Sequence, residues 1–371
     1  MLLTLLMAPT VAADEPADDA ALYTAEEFGT DAVLDALPDE LREIIPQDAD
    51  LFDPNSLLEM GTADGLLSLL QSVLRQVLRP ALGTLSTLLG LILVSSALGA
   101  LRGTLKSDSL TAVFDFTSAL CILLAMYTTI SGLFEAVQTY LTQLSALMGT
   151  MLPVMTAVSI AGGNLSASAV SANGMMLALN FVQTLAAHGL FPMLQLCFGL
   201  TAASGIGGGL KLDGITKLVR DGMAWILALI AAVISAMMGF QNSIASRADS
   251  LSMRAVKFTA SRVIPVVGGI ASDAVTTVAG SLSLVRSTVG MAGVALILLL
   301  TLPVILHVLL TRLGVTLTQT AASVIGLDRE KNLLGEMGSL LGFLAAVCVI
   351  SALMFIYALT LFAKCSAAIG G

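Results

Sequence analysis

Long stretches with almost no charged side chains limit the possible folds of this chain more than any other feature. Several exceed the roughly 18 apolar residues that a helix needs to cross a bilayer. With 56% hydrophobic and only 12% charged residues, the chain is too apolar for a soluble globular domain. We therefore predict an all-α fold, a polytopic membrane helix bundle. The predicted spans are 81–101, 112–134, 145–161, 175–202, 223–241, 263–285, 290–311 and 333–363.

Acidic residues are concentrated before the first span. Residues 14–64 hold 16 of the 26 acidic side chains and one basic side chain, Arg42. Residues 1–13 resemble the end of a secretory signal peptide, with Val11 and Ala13 at the small-residue positions before a cleavage site. A retained anchor is the alternative, but its eight apolar residues would span only about 12 Å. We expect cleavage after Ala13, which makes the acidic segment extracytoplasmic.

Residues 65–80 are predicted to form an amphipathic interfacial helix. Their apolar residues recur at positions i, i+3, i+4 and i+7, and Arg75 and Arg79 lie beside that stripe. The pattern is typical of a helix lying in the membrane interface. A helix that docks on a partner protein would show the same pattern.

After two leading transmembrane helices in 81–134, the chain reads as two weak copies of one unit. The copies are residues 145–241 and 257–363, offset by between 111 and 116 positions. Chance similarity between apolar segments is the alternative explanation. The matched positions are Pro153 with Pro265, Pro192 with Pro303, Leu212-Asp213 with Leu327-Asp328, and Asp221 with Glu336.

The sequence predicts that the second copy is inverted relative to the first. Each copy holds three predicted spans. After an odd number of membrane crossings, the next copy starts from the other side of the membrane. With an exported N-terminus, the inside loops carry nine Lys or Arg residues, including Arg329, and the outside loops carry five, including Lys217 and Arg220. This is the expected direction of bias. Inverted sets of proline-broken apolar helices form the pathway of several transporters. Translocation is therefore a hypothesis before any chemistry is considered.

The first predicted span of each copy, 145–161 and 263–285, holds a proline and has low hydropathy, so we expect these two spans to be re-entrant or interrupted at Pro153 and Pro265. The residues that could line or gate a pathway fall in and near these spans. Asp273 is the sharpest of them, because a carboxylate near the middle of a span costs about 2.5 to 3.5 kcal/mol and usually faces a cavity or a partner. Solvation of Asp273 outside lipid is the alternative. The candidate pathway or gating residues are Pro153, Pro265, Gly268, Gly269, Asp273 and Pro303. The candidate partner or membrane contacts are Arg254, Lys257, Arg262 and Arg286.

Motifs for catalysis, metals and nucleotides are not recognisable in the sequence. The four cysteines and two histidines are scattered, without the spacing of a metal or redox site. The glycine-rich stretch 205–209 lacks the strand and the Lys-Ser/Thr of a phosphate loop. No basic patch with interleaved aromatic residues suggests nucleic acid. We therefore expect neither an enzyme nor a cofactor.

One block of the sequence resembles the stage III sporulation protein AE family. It comprises RAVKFT at 254–259, RVIPVVGGIASDA at 262–274, VGMAG at 289–293 and LPVI at 302–305. The similarity extends to MLPV at 151–154, AGG at 161–163, and residues 37–46 of the acidic segment. It covers nearly the whole chain after residue 13.

The resemblance implies a multi-pass protein in the mother-cell membrane that surrounds the forespore. It also implies work with other products of the same operon, namely ATPase-like and ring-forming proteins, and with a forespore partner. The expected function is a membrane component of a secretion-like channel between the two cells, acting as its permease-like or export-gate core. Two alternatives stay open: a stand-alone secondary transporter coupled to an ion at Asp273, and a passive scaffold that anchors ring proteins through the acidic segment.

Overall fold

A computed structural model of the chain describes five ranges and a few isolated positions. Every described residue is helical apart from Gly326 and Leu327, which form a turn. Among these residues, five helices are long and apolar enough to cross a membrane. The predicted all-helical membrane fold is therefore confirmed. The described residues are 63–102, 108–161, 180–206, 214–233 and 268–364, with the single positions 33, 35, 177, 235 and 236.

Six helices occupy these ranges. They are α1 (Ala63–Arg102), α2 (Asp108–Ala161), α3 (Phe191–Ile206), α4 (214–233), α5 (Gly268–Ile325) and α6 (Asp328–Lys364). A helical stretch from residue 180 and a π-helical turn, Ala186–Leu190, lead into α3. Buried apolar side chains from all six helices form one continuous core.

α2 and α5 each join two of the predicted spans into one helix, which corrects the predicted loops at 135–144 and 286–289. In the first of these loops, Val137, Tyr140, Leu141 and Leu144 are buried at positions i, i+3, i+4 and i+7. The polar residues between them lower the average hydropathy. They lie on the other faces of the helix and do not interrupt it.

The prolines of the two long helices do not break them, so the predicted interruption at Pro153 is wrong. Pro153 lies inside α2 and Pro303 inside α5. A proline removes one backbone hydrogen bond, and transmembrane helices tolerate that loss where neighbouring helices pack around it. Pro265, the partner of Pro153 in the predicted repeat, lies outside the described residues.

The π-helical turn before α3 has a local cause. The Phe191 N–H donates to the Ala186 carbonyl, five residues back. The next residue is Pro192, which has no N–H and whose ring collides with the carbonyl four residues earlier in a regular α-helix. A wider turn at this point relieves that collision.

α3 runs antiparallel to α2. The side-chain amide of Gln183 donates a hydrogen bond of 3.2 Å to the Leu141 carbonyl. Further along, the ring centroids of Phe198 and Tyr127 are 5.9 Å apart. From residue 183 to residue 198, the contacts on α2 therefore move from residue 141 back to residue 127, which is the antiparallel direction.

α4 turns back along α3, so these two helices form a hairpin. A methyl group at Gly222 would lie 3.6 Å from Met193 Cε, and one at Gly189 would lie 3.4 Å from Ile226 Cδ1. Small residues at these contacts let the two backbones approach closely, as is common between membrane helices.

α5 runs antiparallel to α2, in the same direction as α3. The Tyr140 hydroxyl lies 3.1 Å from Thr301 Oγ1 and 3.3 Å from the Cys348 carbonyl of α6. Gly293, earlier in α5, meets Met151, later in α2. At Gly326, with φ of 82°, the chain reverses into α6, and the Leu327 N–H caps the end of α5 by donating to the Ala322 carbonyl at 2.9 Å.

The two hairpins, α3–α4 and α5–α6, are parallel, so the predicted inversion is wrong. Gln183 and Thr301 both lie beside residues 140 and 141 of α2, and both helices run the same way from there. The inversion rested on three spans per copy. Because 145–161 and 263–285 belong to the longer helices α2 and α5, each copy contributes two antiparallel helices, and an even number preserves direction. The repeat itself stays a prediction.

Candidate functional site

A polar cleft of about 800 Å³ lies between the tips of the two hairpins. One wall comes from the end of α3 and the start of α4, and the other from the end of α5 and the start of α6. Its lining residues are Thr201, Ser204, Thr216, Lys217, Arg220 and Asp221 on the first wall, and Gln319, Arg329, Asn332, Leu333, Gly335 and Glu336 on the second.

Equivalent positions of the two predicted copies line the two walls of this cleft. Four pairs of lining residues share the same offset of 115. The pairs are Ser204 with Gln319, Lys217 with Asn332, Arg220 with Gly335, and Asp221 with Glu336. A common offset at a shared cleft supports the repeat in its parallel form.

An ion pair joins the two hairpins inside the cleft. Arg220 Nη2 of α4 donates to Glu336 Oε2 of α6. The side chains are 29% and 43% exposed, so solvent screens the pair, and we expect it to contribute at most about 1 kcal/mol to stability. Its value is positional, because it fixes the register of one hairpin tip against the other.

Gly335 gives the second wall its shape. A Cβ at this position would lie 2.6 Å from Gln319 Nε2. The missing side chain therefore lets the Gln319 amide approach the α6 backbone closely.

Two buried polar atoms of the cleft have no hydrogen-bond partner among the described residues. They are Thr201 Oγ1 and Arg220 Nε. Thr201 lines the cleft and is only 4% exposed. Buried polar groups are normally paired, so both atoms are available to a group that enters the cleft.

A buried carboxylate, Glu330, lies in the first turn of α6, directly after the cleft residue Arg329. Glu330 is 4% exposed and accepts a hydrogen bond of 2.9 Å from Ser118 Oγ of α2. Ser118 in turn contacts Ser95 Oγ of α1. Three helices are therefore joined by one chain of polar atoms. The sequence reading did not single out Glu330, because a glutamate in the first turn of a helix is usually a solvated one.

Pro153 and Pro303 are the predicted pathway residues whose side chains the structure describes, and neither lines this cleft. They lie within α2 and α5. Gly268, Gly269, Asp273 and Arg286 belong to the backbone of α5, and their side chains lie outside what the structure describes. Pro265, Arg254, Lys257 and Arg262 lie outside the described residues altogether.

One sequence signal points to the cleft. Asp221 and Glu336 were matched as equivalent positions, and both now line it. The predicted topology obscured the signal, because it put Lys217 and Arg220 outside and Arg329 inside. The structure places all three side chains in one cleft.

Comparison with known proteins agrees with the family resemblance in the sequence. The model of the family described as Stage III sporulation protein AE (spore_III_AE) matches residues 58–366. The protein of that name from Bacillus subtilis (strain 168) is 23% identical over 218 residues, which are 58% of this chain and 54% of that protein. The match thus spans about half the length of this curated relative. No solved structure matches. Because the family match covers most of its length, this chain belongs to the Stage III sporulation protein AE family.

Proposed function

We propose that this protein is a membrane component of the channel between mother cell and forespore in endospore formation, and that it forms the permease-like or export-gate core. It lies in the mother-cell membrane around the forespore, with its N-terminal segment extracytoplasmic. The end of α1 is joined to the start of α6 through Ser95, Ser118 and Glu330. With an extracytoplasmic N-terminus, the cleft then opens to the mother-cell cytoplasm. Its partners are the ATPase-like and ring-forming products of the same operon and a forespore protein.

The observation that supports a gate is a polar cleft that ends on a packed apolar layer. Leu194 and Cys197 of α3 and Leu340 and Leu344 of α6 are each at most 2% exposed, one or two turns beyond the cleft residues of the same helices. A membrane bundle that is polar at one end and closed beyond it has the layout of a gate at rest. The two parallel hairpins provide two bodies whose relative movement could open it.

Two other functions make different predictions. A stand-alone secondary transporter, with an ion coupled at Asp273, would move solute in liposomes that contain the purified chain alone. A passive scaffold, anchoring ring proteins through residues 14–64, would need that segment but not the cleft. The cleft favours the gate, because a scaffold has no use for a polar opening between its helices.

Reversing the charges of the cross-hairpin pair tests the gate. Arg220→Glu or Glu336→Arg alone puts like charges face to face, at a cost on the order of 1 kcal/mol for a partly exposed pair. We expect each single variant to reduce the transfer of a fluorescent tracer from mother cell to forespore, together with late forespore gene expression. The double variant restores opposite charges and should recover both.

The amount and thermal midpoint of each variant, measured in isolated membranes, separate a functional defect from misfolding. Normal tracer transfer and gene expression in cells that lack this chain would contradict the channel role. Normal transfer in both single variants, with transfer lost only when residues 14–64 are deleted, would favour the scaffold.

A further inference from the structure

The hydrogen-bonding groups of the cleft point to the kind of ligand it accepts. Thr201 Oγ1 and Arg220 Nε are buried without a partner among the described residues. An arginine Nε can only donate, and a threonine hydroxyl donates as readily as it accepts. A group that satisfies both atoms must offer acceptor oxygens.

The charges of the lining favour an anion. Lys217, Arg220 and Arg329 supply three positive charges, against two negative charges from Asp221 and Glu336. The lining therefore has a net charge of +1, and it keeps that charge when Arg220 and Glu336 are counted as a neutral pair. Arg220 uses Nη2 for Glu336, and its Nε has no partner among the described residues. The arginine fork and the hydroxyl suit a tetrahedral oxyanion, for which charge-assisted hydrogen bonds are the strong contacts.

The position of the cleft along the helices indicates which kind of molecule carries that oxyanion. Immediately beyond the cleft, residues 222–246 and 337–363 contain no Asp, Glu, Lys or Arg. The cleft therefore sits where the charged end of the bundle meets its uncharged part, at the depth of lipid headgroups. Basic pockets between transmembrane helices at that depth bind anionic headgroups.

We propose that the cleft between the hairpin tips binds the phosphate group of an anionic phospholipid, held by Arg220, Thr201 and Lys217. A bound headgroup touches both hairpins at once. It thereby holds their tips together beside the Arg220–Glu336 pair. This proposal rests on the cleft and on the membrane fold, and it stands whether or not the channel role is correct.

Threonine variants give a matched test. Thr201 and Thr311 both have a buried hydroxyl oxygen without a described partner, but only Thr201 lines the cleft. The full chain is placed in nanodiscs of phosphatidylcholine, with or without phosphatidylglycerol, and the thermal midpoint is followed as the anionic fraction rises. We expect phosphatidylglycerol to raise the midpoint of the wild type and of Thr311→Val equally. In Thr201→Val, the phosphatidylglycerol fraction that gives half of the rise in thermal midpoint should increase about tenfold. The reason is that this variant loses one hydrogen bond to a charged group.

Lys217→Gln is the second variant, because the exposed Lys217 can change without disturbing the fold. It should also weaken the lipid effect. An unchanged midpoint of the wild type across lipid compositions would overturn the site, and so would equal losses in Thr201→Val and Thr311→Val. Inorganic phosphate, added to neutral nanodiscs at constant ionic strength, distinguishes the source: stabilisation by free phosphate but not by phosphatidylglycerol would overturn the lipid assignment.

Discussion

Replacing Tyr140 with alanine is expected to lower the free energy of unfolding by about 3 kcal/mol. Tyr140 is 1% exposed, and its hydroxyl lies within hydrogen-bonding distance of Thr301 Oγ1 and the Cys348 carbonyl. Alanine would leave a cavity where α2, α5 and α6 meet and remove the group that joins them. This loss is at the low end for a large core residue. In a membrane protein, burial of a side chain stabilises the fold through packing and not through transfer out of water. Unfolding of the purified chain in nanodiscs measures the change.

Two variants separate the parts of this effect. Tyr140→Phe keeps the ring and removes only the hydroxyl, so we expect a loss of about 1 kcal/mol. Tyr127→Ala, on the same helix, removes a ring that is 57% exposed and should cost less than either. If Tyr127→Ala destabilised the protein as much as Tyr140→Ala, the meeting point at Tyr140 would not be part of the core.

Replacing Gly293 with leucine is the second substitution for which we expect a large effect. A Cβ at Gly293 would lie 2.6 Å from Leu359 Cδ1 and closer still to Met151 Cε. Both neighbours are fully buried, so their flexible ends have little room to move. Overpacking of this kind typically costs about 1 to 3 kcal/mol, and it would push α2, α5 and α6 apart. The same unfolding measurement in nanodiscs applies.

Gly149→Leu is the matched control, since Gly149 is an exposed glycine of α2 with nothing within 4 Å of its Cβ position. There, the better helix propensity of leucine should leave stability unchanged or slightly raised. Equal destabilisation by the two leucine substitutions would show that helix α5 does not pack on α2 at Gly293.

Sequence patterns predicted the class of the protein well, because that class depends on composition. Uncharged apolar stretches of span length leave few alternatives to membrane helices, and motif letters such as those at 262–274 identify a family without any geometry. The matched positions Asp221 and Glu336 likewise pointed toward the cleft. Each of these signals is local in the chain and needs no knowledge of packing.

The errors arose where average hydropathy and helix packing disagree. Residues 135–144 have a low mean hydropathy, although Tyr140 and its apolar neighbours form a buried stripe. The low mean therefore predicts two spans where the structure has one helix. That division gave an odd number of spans and reversed the second copy. The burial of Glu330 cannot be read from local sequence either. Its partner, Ser118, lies far away in the chain and comes close only through helix packing.

The arrangement of the two hairpin tips is the central claim, and cysteine labelling tests it most directly. In a chain without the four native cysteines, Lys217→Cys, Asn332→Cys and Leu177→Cys each place one thiol at an exposed position. A membrane-impermeant maleimide should label positions 217 and 332 from the same side of the membrane and position 177 from the other. Labelling of 217 and 332 from opposite sides would contradict the parallel hairpins and restore the inverted repeat.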